Sequence, residues 1–264
     1  RIPDPLSYAF FVGFLNIFVL LLAPFGFEFL SLPITFMALI SGISFVVGIY
    51  FLYTTLKQSE ASRALPLIGA STPLFLILFS ITFGKTHLTF HEIGAIAFFI
   101  IGGLLLSMKP TGTLRWILVL HGHHLTTRIF IFTFLAAFFF ASSLFLTKEI
   151  FNHIDFIPGF IWIRLGTVLA ALFLLLLPSA RNAIFHISRT ASPSSKGLFL
   201  LNQGMGSIST VLLHIAIFLG PVTIINAMQG VQYFFIFFLA LFFTMVFPRM
   251  IRETFTPVAL ISKF

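Results

Sequence analysis

The sequence predicts an all-α membrane protein with eight full transmembrane helices and the beginning of a ninth, and three observations lead there. Eight apolar runs are each about 20 residues long, enough for a helix to cross the ~30 Å hydrocarbon core. Of the 264 residues, 59% are hydrophobic and 8% charged, with a mean hydropathy of +1.11, which leaves a soluble domain too little polar surface to cover itself. The runs are too long for strands and lack the ten-residue alternation of a membrane barrel.

In chain order the expected segments are 5–24, 33–56, 64–83, 90–108, 129–147, 157–178, 197–219 and 221–247, with a ninth starting near 254. Pro24, Pro33, Pro110, Pro158, Pro178 and Pro248 fall at or near their ends, where a missing N–H does least harm. The two longest connectors are 109–128, which divides the chain into halves, and 179–196, which holds Arg181, Arg189, Lys196 and a Ser/Pro run. The 39 Phe residues suit a lipid-facing exterior.

The formal charge of +8 would point to nucleic acid in a soluble protein. Here the basic residues sit in short connectors, so nucleic acid is excluded as a partner. One side of the membrane carries Arg1, Lys57, Arg63, Lys109, Arg115, Arg128, Arg181, Arg189, Lys196, Arg249 and Arg252, the other only Lys85 and Lys148. The positive-inside rule puts the first set in the cytoplasm. The absence of Cys excludes disulfides and thiol chemistry.

The two halves can be laid over each other. A shift of 161 positions sets Tyr53 on His214, Ser62 on Thr223, Gly69 on Gly230, Leu78 on Leu239 and Glu92 on Glu253, and a shift of 153 pairs Pro5 with Pro158 and Gly13 with Gly166. The order of long segments, connectors and turns matches better than the residues do. Units of five crossings would enter the membrane in opposite senses, giving two inverted repeats of a ten-helix transporter fold. On that reading the units are 1–108 and 129–264, joined by 109–128. The first unit lacks its first helix and the second most of its last, so a longer reading frame is expected to add an apolar segment at each end.

The stretch from Tyr53 to Leu78, YTTLKQSEASRALPLIGASTPLFLIL, resembles the drug/metabolite transporter superfamily, in particular its EamA-type ten-helix members. The likeness continues through Gly84-Lys85-Thr86-His87-Leu88-Thr89 and His91-Glu92-Ile93-Gly94, with Lys85 where an acidic residue is usual. In the second half it takes in Ser142 to Lys148 and the turn Gly220-Pro221-Val222-Thr223. The resemblance implies a multi-pass transporter of small metabolites or amphiphiles, and it also implies cytoplasmic termini. With one helix restored at the front, the charge count instead puts the N-terminus outside.

Asp4, Glu28, Glu60, Glu92, Glu149, Asp155 and Glu253 all lie in or beside connectors, so no mid-segment carboxylate offers a proton relay or an acid pair for catalysis. Arg164 is the one strong charge within a segment. Either it faces a cavity, favouring an anionic or carboxylate-bearing substrate, or it snorkels to the interface beside Trp162. The uncharged polar candidates for substrate binding are Ser41, Ser44, Tyr50, Tyr53, Ser71 and Thr72 in the first half. In the second they are Asn202, Gln203, His214, Asn226, Gln229, Gln232 and Tyr233, with Trp162 as an aromatic wall. Asn226, Gln229 and Tyr233 fall on one helical face. Each of these residues serves equally as interhelical hydrogen-bonding glue, as does Asn16. Pro66, Gly69 and Pro73 in one half, and Gly204, Gly206 and Gly230 in the other, are candidate helix breaks or simple kinks with close packing. His121-Gly122-His123-His124 reads as a basic loop, and no metal or cofactor is expected.

The expectation is therefore a transporter, not an enzyme, in a plasma membrane of the bacterial inner type. It would work as a monomer or homodimer on a small-molecule substrate, by rocking two halves about a central cavity. The alternatives are a membrane-embedded enzyme on a lipid-linked substrate, for which only His214 is available inside the membrane, and a structural or signalling membrane protein.

Overall fold

The computed structural model describes residues 4–59, 61–83, 94, 98, 124–190, 192–228, 231, 232, 235, 239 and 242, and among them every regular element is a helix. Helix α1 (Pro5–Leu15) starts at Asp4, whose carboxylate accepts from the backbone N–H groups of Leu6 and Ser7 while Pro5 occupies the first turn. It runs on as a tighter 3-10 helix, Asn16–Phe25. Next come α2 (Leu32–Leu56), α3 (Ala61–Thr82), α4 (His124–Phe151), α5 (Phe156–Leu174), α6 (Pro178–Thr190), α7 (Pro193–Leu219) and α8 (Val222–Met228).

Among the described residues six helical stretches are long and apolar enough to cross a membrane: Pro5–Phe25, Leu32–Leu56, Ala64–Thr82, Arg128–Phe151, Phe156–Leu174 and Pro193–Leu219. The chain is thus a multi-pass integral membrane protein, helical in its described elements. The six match the expected segments 5–24, 33–56, 64–83, 129–147, 157–178 and 197–219. The expected segment 90–108, most of 221–247 and the run from 254 lie outside the described residues, apart from a few single positions.

Several boundaries differ from the sequence reading. Helix α4 begins at His124, inside the expected connector 109–128, and ends at Phe151, so Lys148 and Glu149 lie in its last turns. The connector 179–196 contains a helix, α6. Ala180 and Ile184, one turn apart, are buried against Phe10 and Ala171, while Arg181, Asn182 and Arg189 are exposed. At 13 residues it is about 20 Å long, too short to span. It is a basic amphipathic helix of the kind that lies in the headgroup plane. A search for long apolar runs passes over such a helix because half of its surface is polar.

Helix α2 is the hub, packing along α4, α5 and α1, while α3 lies on α4. Glycine makes the tightest crossings. A Cβ on Gly42 would collide with the Ile163 carbonyl oxygen, one on Gly166 would sit 2.7 Å from that of Leu39, and one on Gly13 2.8 Å from that of Thr167. Without side chains at these points the backbones of α1, α2 and α5 touch, as small residues permit in membranes. A second tie joins α2 to α4, where the buried Ser41 hydroxyl lies 2.9 Å from the Ser143 carbonyl and 3.0 Å from the Thr147 hydroxyl. Asn16 does not act as interhelical glue: its amide donates to the Val12 carbonyl of its own helix at 2.7 Å. Phe130, Phe134 and Phe138, spaced by one turn on α4, are exposed, as a lipid-facing stripe requires.

Gly42→Ala must push α2 away from the α5 backbone. It is expected to lower unfolding stability in detergent by about 1–3 kcal/mol, the usual cost of overpacking. Gly204→Ala, where a Cβ meets nothing within 4 Å, is expected to leave the melting temperature unchanged or raise it.

Candidate functional site

Arg164 is the ninth residue of α5, about 12 Å along the helix axis and close to its middle. Its side chain is 3% exposed. Ala171, two turns on along nearly the same face, is fully buried, and the Thr167 hydroxyl donates back to the Arg164 carbonyl at 2.7 Å. The guanidinium does not snorkel toward the helix end. Trp162 does reach the end, where its indole N–H donates to the Glu28 carbonyl at 2.9 Å and its ring stacks on Phe27.

Arg164 turns inward to His214 of α7, with Nη2 3.0 Å from Nε2 and 3.2 Å from Nδ1. His214 Nδ1 also lies 2.8 Å from the Thr210 carbonyl one turn earlier. A carbonyl only accepts, so Nδ1 carries the hydrogen, and the Nε2 lone pair is left to accept from Arg164. The pair is therefore a cation on a neutral imidazole. Two rings complete the surroundings: the guanidinium carbon is 5.1 Å from the Phe160 ring centre and 5.6 Å from that of Phe45, within reach of cation–π attraction. Phe151 and Phe160 meet the imidazole at right angles. Among the described residues no carboxylate pairs with Arg164, and its Nε–H is buried without an acceptor.

A cavity of about 250 Å³ lies beside this pair, lined by Phe45 and Leu52 of α2, Leu65, Ile68, Gly69 and Thr72 of α3, Phe140 and Leu144 of α4, Leu213 of α7, Asn226 of α8 and Gln232. Its walls are mostly apolar and its polar groups few: the Thr72 hydroxyl, the Asn226 and Gln232 amides and the backbone of Gly69. Pro73 follows Thr72 and has no N–H for the Gly69 carbonyl, the group an ordinary residue there would bond. Phe45 belongs both to the cavity wall and to the surroundings of Arg164.

The structure brings together some of the sequence candidates and separates others. Gly69, Thr72, Asn226 and Gln232 line the cavity; Arg164 and His214 do not, and Phe45 of the cavity wall lies 5.6 Å from the guanidinium. Ser41 is tied into the α2–α4 contact, Ser71 donates to the Leu67 carbonyl, and Ser44 is buried. Tyr53 stacks on Tyr8 with ring centres 3.8 Å apart, Tyr50 packs on Phe51, and the exposed Asn202 reaches the Tyr8 hydroxyl at 3.4 Å. Gln203 is half-buried and its carbonyl accepts from Ser207. Pro66 and Pro73 are buried inside an unbroken α3. Gly204 and Gly206 are exposed within a continuous α7. Gln229, Gly230 and Tyr233 lie outside the described residues, as do His121 and His123.

Sequence reading missed Phe45 and Phe160, which look like any of the other 37 phenylalanines until the fold puts them against a cation. It also missed that Lys148 reaches across from α4 to the last carbonyls of α7, 3.0 Å from Ile217 and 3.4 Å from Phe218. A cation there satisfies orphan carbonyls at the negative end of the helix.

His214→Ala removes the lone pair that Arg164 uses and is expected to cost about 1–3 kcal/mol in unfolding measurements. The double variant Arg164→Met, His214→Leu removes both polar partners together and is expected to recover most of that loss. A scan of the chain against protein-family models matches no family, and neither the curated proteins nor the solved structures give a match.

Proposed function

We propose that the protein is a membrane transporter that moves a small metabolite by alternating access, its two halves forming inverted repeats around the cavity. The observation that carries this reading is the cavity itself. It lies among membrane-spanning helices, and both halves of the chain contribute: Phe45, Leu65 and Thr72 from the first, Phe140, Leu213 and Asn226 from the second. Apolar walls with a few convergent polar groups are the usual make-up of a small-molecule site. At about 250 Å³ it has room for roughly eight water volumes, which suits a small metabolite better than a large amphiphile.

One further feature supports the reading, at the helices that the shift of 161 pairs. The partners α2 and α7 are engaged unequally: α2 is pressed onto α5 at Gly42, whereas nearly all of α7 before Thr210 is exposed. A transporter caught with one half closed and the other open would have this asymmetry. The likeness of residues 53–94 to the EamA-type drug/metabolite transporters agrees with the same reading.

The purified protein in liposomes is expected to give saturable uptake or counterflow of at least one small polar metabolite. Asn226→Ala and Thr72→Ala should each lower the flux about tenfold or more, at the cost of one hydrogen bond to the bound substrate. Absence of flux over a broad panel of amino acids, organic acids and nucleosides would overturn the proposal, and full flux in both variants would remove the cavity from it.

A further inference from the structure

We propose that Arg164 is the recognition group for a small carboxylate, and that His214 is the partner it holds while no anion is bound. The inference rests on the transporter reading for its substrate, but the binding site stands on its own geometry.

The guanidinium presents its hydrogens in pairs, and the edge formed by Nε–H and Nη2–H is one that grips a carboxylate with two parallel hydrogen bonds. In this structure no acceptor spans that edge. Nη2 donates to a neutral nitrogen at 3.0 Å, and Nε is buried with no acceptor among the described residues. A neutral imidazole is a weak partner for a cation compared with a carboxylate, and the two rings nearby offer only their faces. A carboxylate arriving on this edge would take both hydrogens, displace Nε2 of His214 and supply the missing negative charge. His214 would keep its bond to the Thr210 carbonyl.

Access is at hand. The guanidinium does not itself line the cavity, but Phe45 does, and Leu213, which also lines it, is the chain neighbour of His214. Rotation of the Phe45 ring would open the cavity to the Nε–Nη2 edge. The volume limits the ligand to a small organic acid. The depth of Arg164, about 12 Å into α5, keeps lipid headgroups at the membrane surface away from it.

The test is binding in detergent, read as a rise in melting temperature and as an isothermal titration, with acetate, lactate, pyruvate and succinate set against their neutral amides. At least one carboxylate should bind, and its amide should bind tenfold or more weaker. Arg164→Lys keeps the charge but not the two-hydrogen edge, and is expected to lose about tenfold or more in carboxylate affinity. His214→Ala frees the edge and should bind the same carboxylate as tightly as the parent protein or more so. Equal binding of acid and amide, or undiminished carboxylate binding in Arg164→Lys and in Arg164→Gln alike, would overturn the inference. Carboxylate binding without flux in liposomes would leave the site standing and overturn the transporter reading; flux confined to neutral substrates would do the reverse.

Discussion

A guanidinium held near the middle of a membrane-spanning helix is the constraint around which the rest of this structure is arranged. Insertion of an arginine at such depth costs about 2.5–3.5 kcal/mol on translocon scales and more by other measures. Three kinds of partner offset that cost here: the lone pair of His214, the faces of Phe45 and Phe160, and close-packed backbone that excludes lipid. The last depends on glycine. Gly13, Gly42 and Gly166 let α1, α2 and α5 approach until backbone meets backbone, and this fixes α5 beside α2, from which Phe45 reaches the guanidinium.

Most other polar side chains in the spans are satisfied locally. The hydroxyls of Thr54, Thr55, Ser71, Thr72, Thr133 and Ser142 each donate to the carbonyl four residues back. Such bonding removes an unsatisfied donor without requiring another helix. Among the described residues three polar ties between spans stand out. The Ser41–Ser143–Thr147 group ties α2 to α4, Lys148 ties α4 to α7, and Arg164 with His214 ties α5 to α7. The first two leave their groups well supplied with oxygen acceptors. In the third a cation faces a nitrogen and retains a spare N–H. That imbalance is why the pair reads as a site rather than as a strut.

The spans were legible because length and hydrophobicity are summed over 20 residues and tolerate local errors. Helix α6 was not, because its apolar contribution is Ala180, Ile184 and a few neighbours, too little to register as a run. Arg164 stood out as a lone charge in an apolar segment, yet its direction could not be read: the interface beside Trp162 and the bundle interior are equally reachable from that position. The partner lies 50 residues away on another helix, and only the packing of α5 and α7 on α4 brings it near. The polar faces were partly misleading for the same reason. Asn202 and Asn226 have the same chemistry, but one lies on the exposed half of α7 and the other in the cavity wall. Pro73 acts within its own helix instead, since its missing N–H bears on a fixed position, Gly69, whatever the neighbouring helices do.

Everything above turns on Arg164 donating to a neutral His214 inside the membrane. Magic-angle-spinning nitrogen NMR of the protein in lipid, labelled at His and Arg and compared with His214→Ala, tests it most directly. His214 is expected to be protonated at Nδ1 and bare at Nε2, with Nε2 in close contact with an Arg164 Nη. A His214 protonated at Nε2, or one with no through-space contact to Arg164, would contradict it.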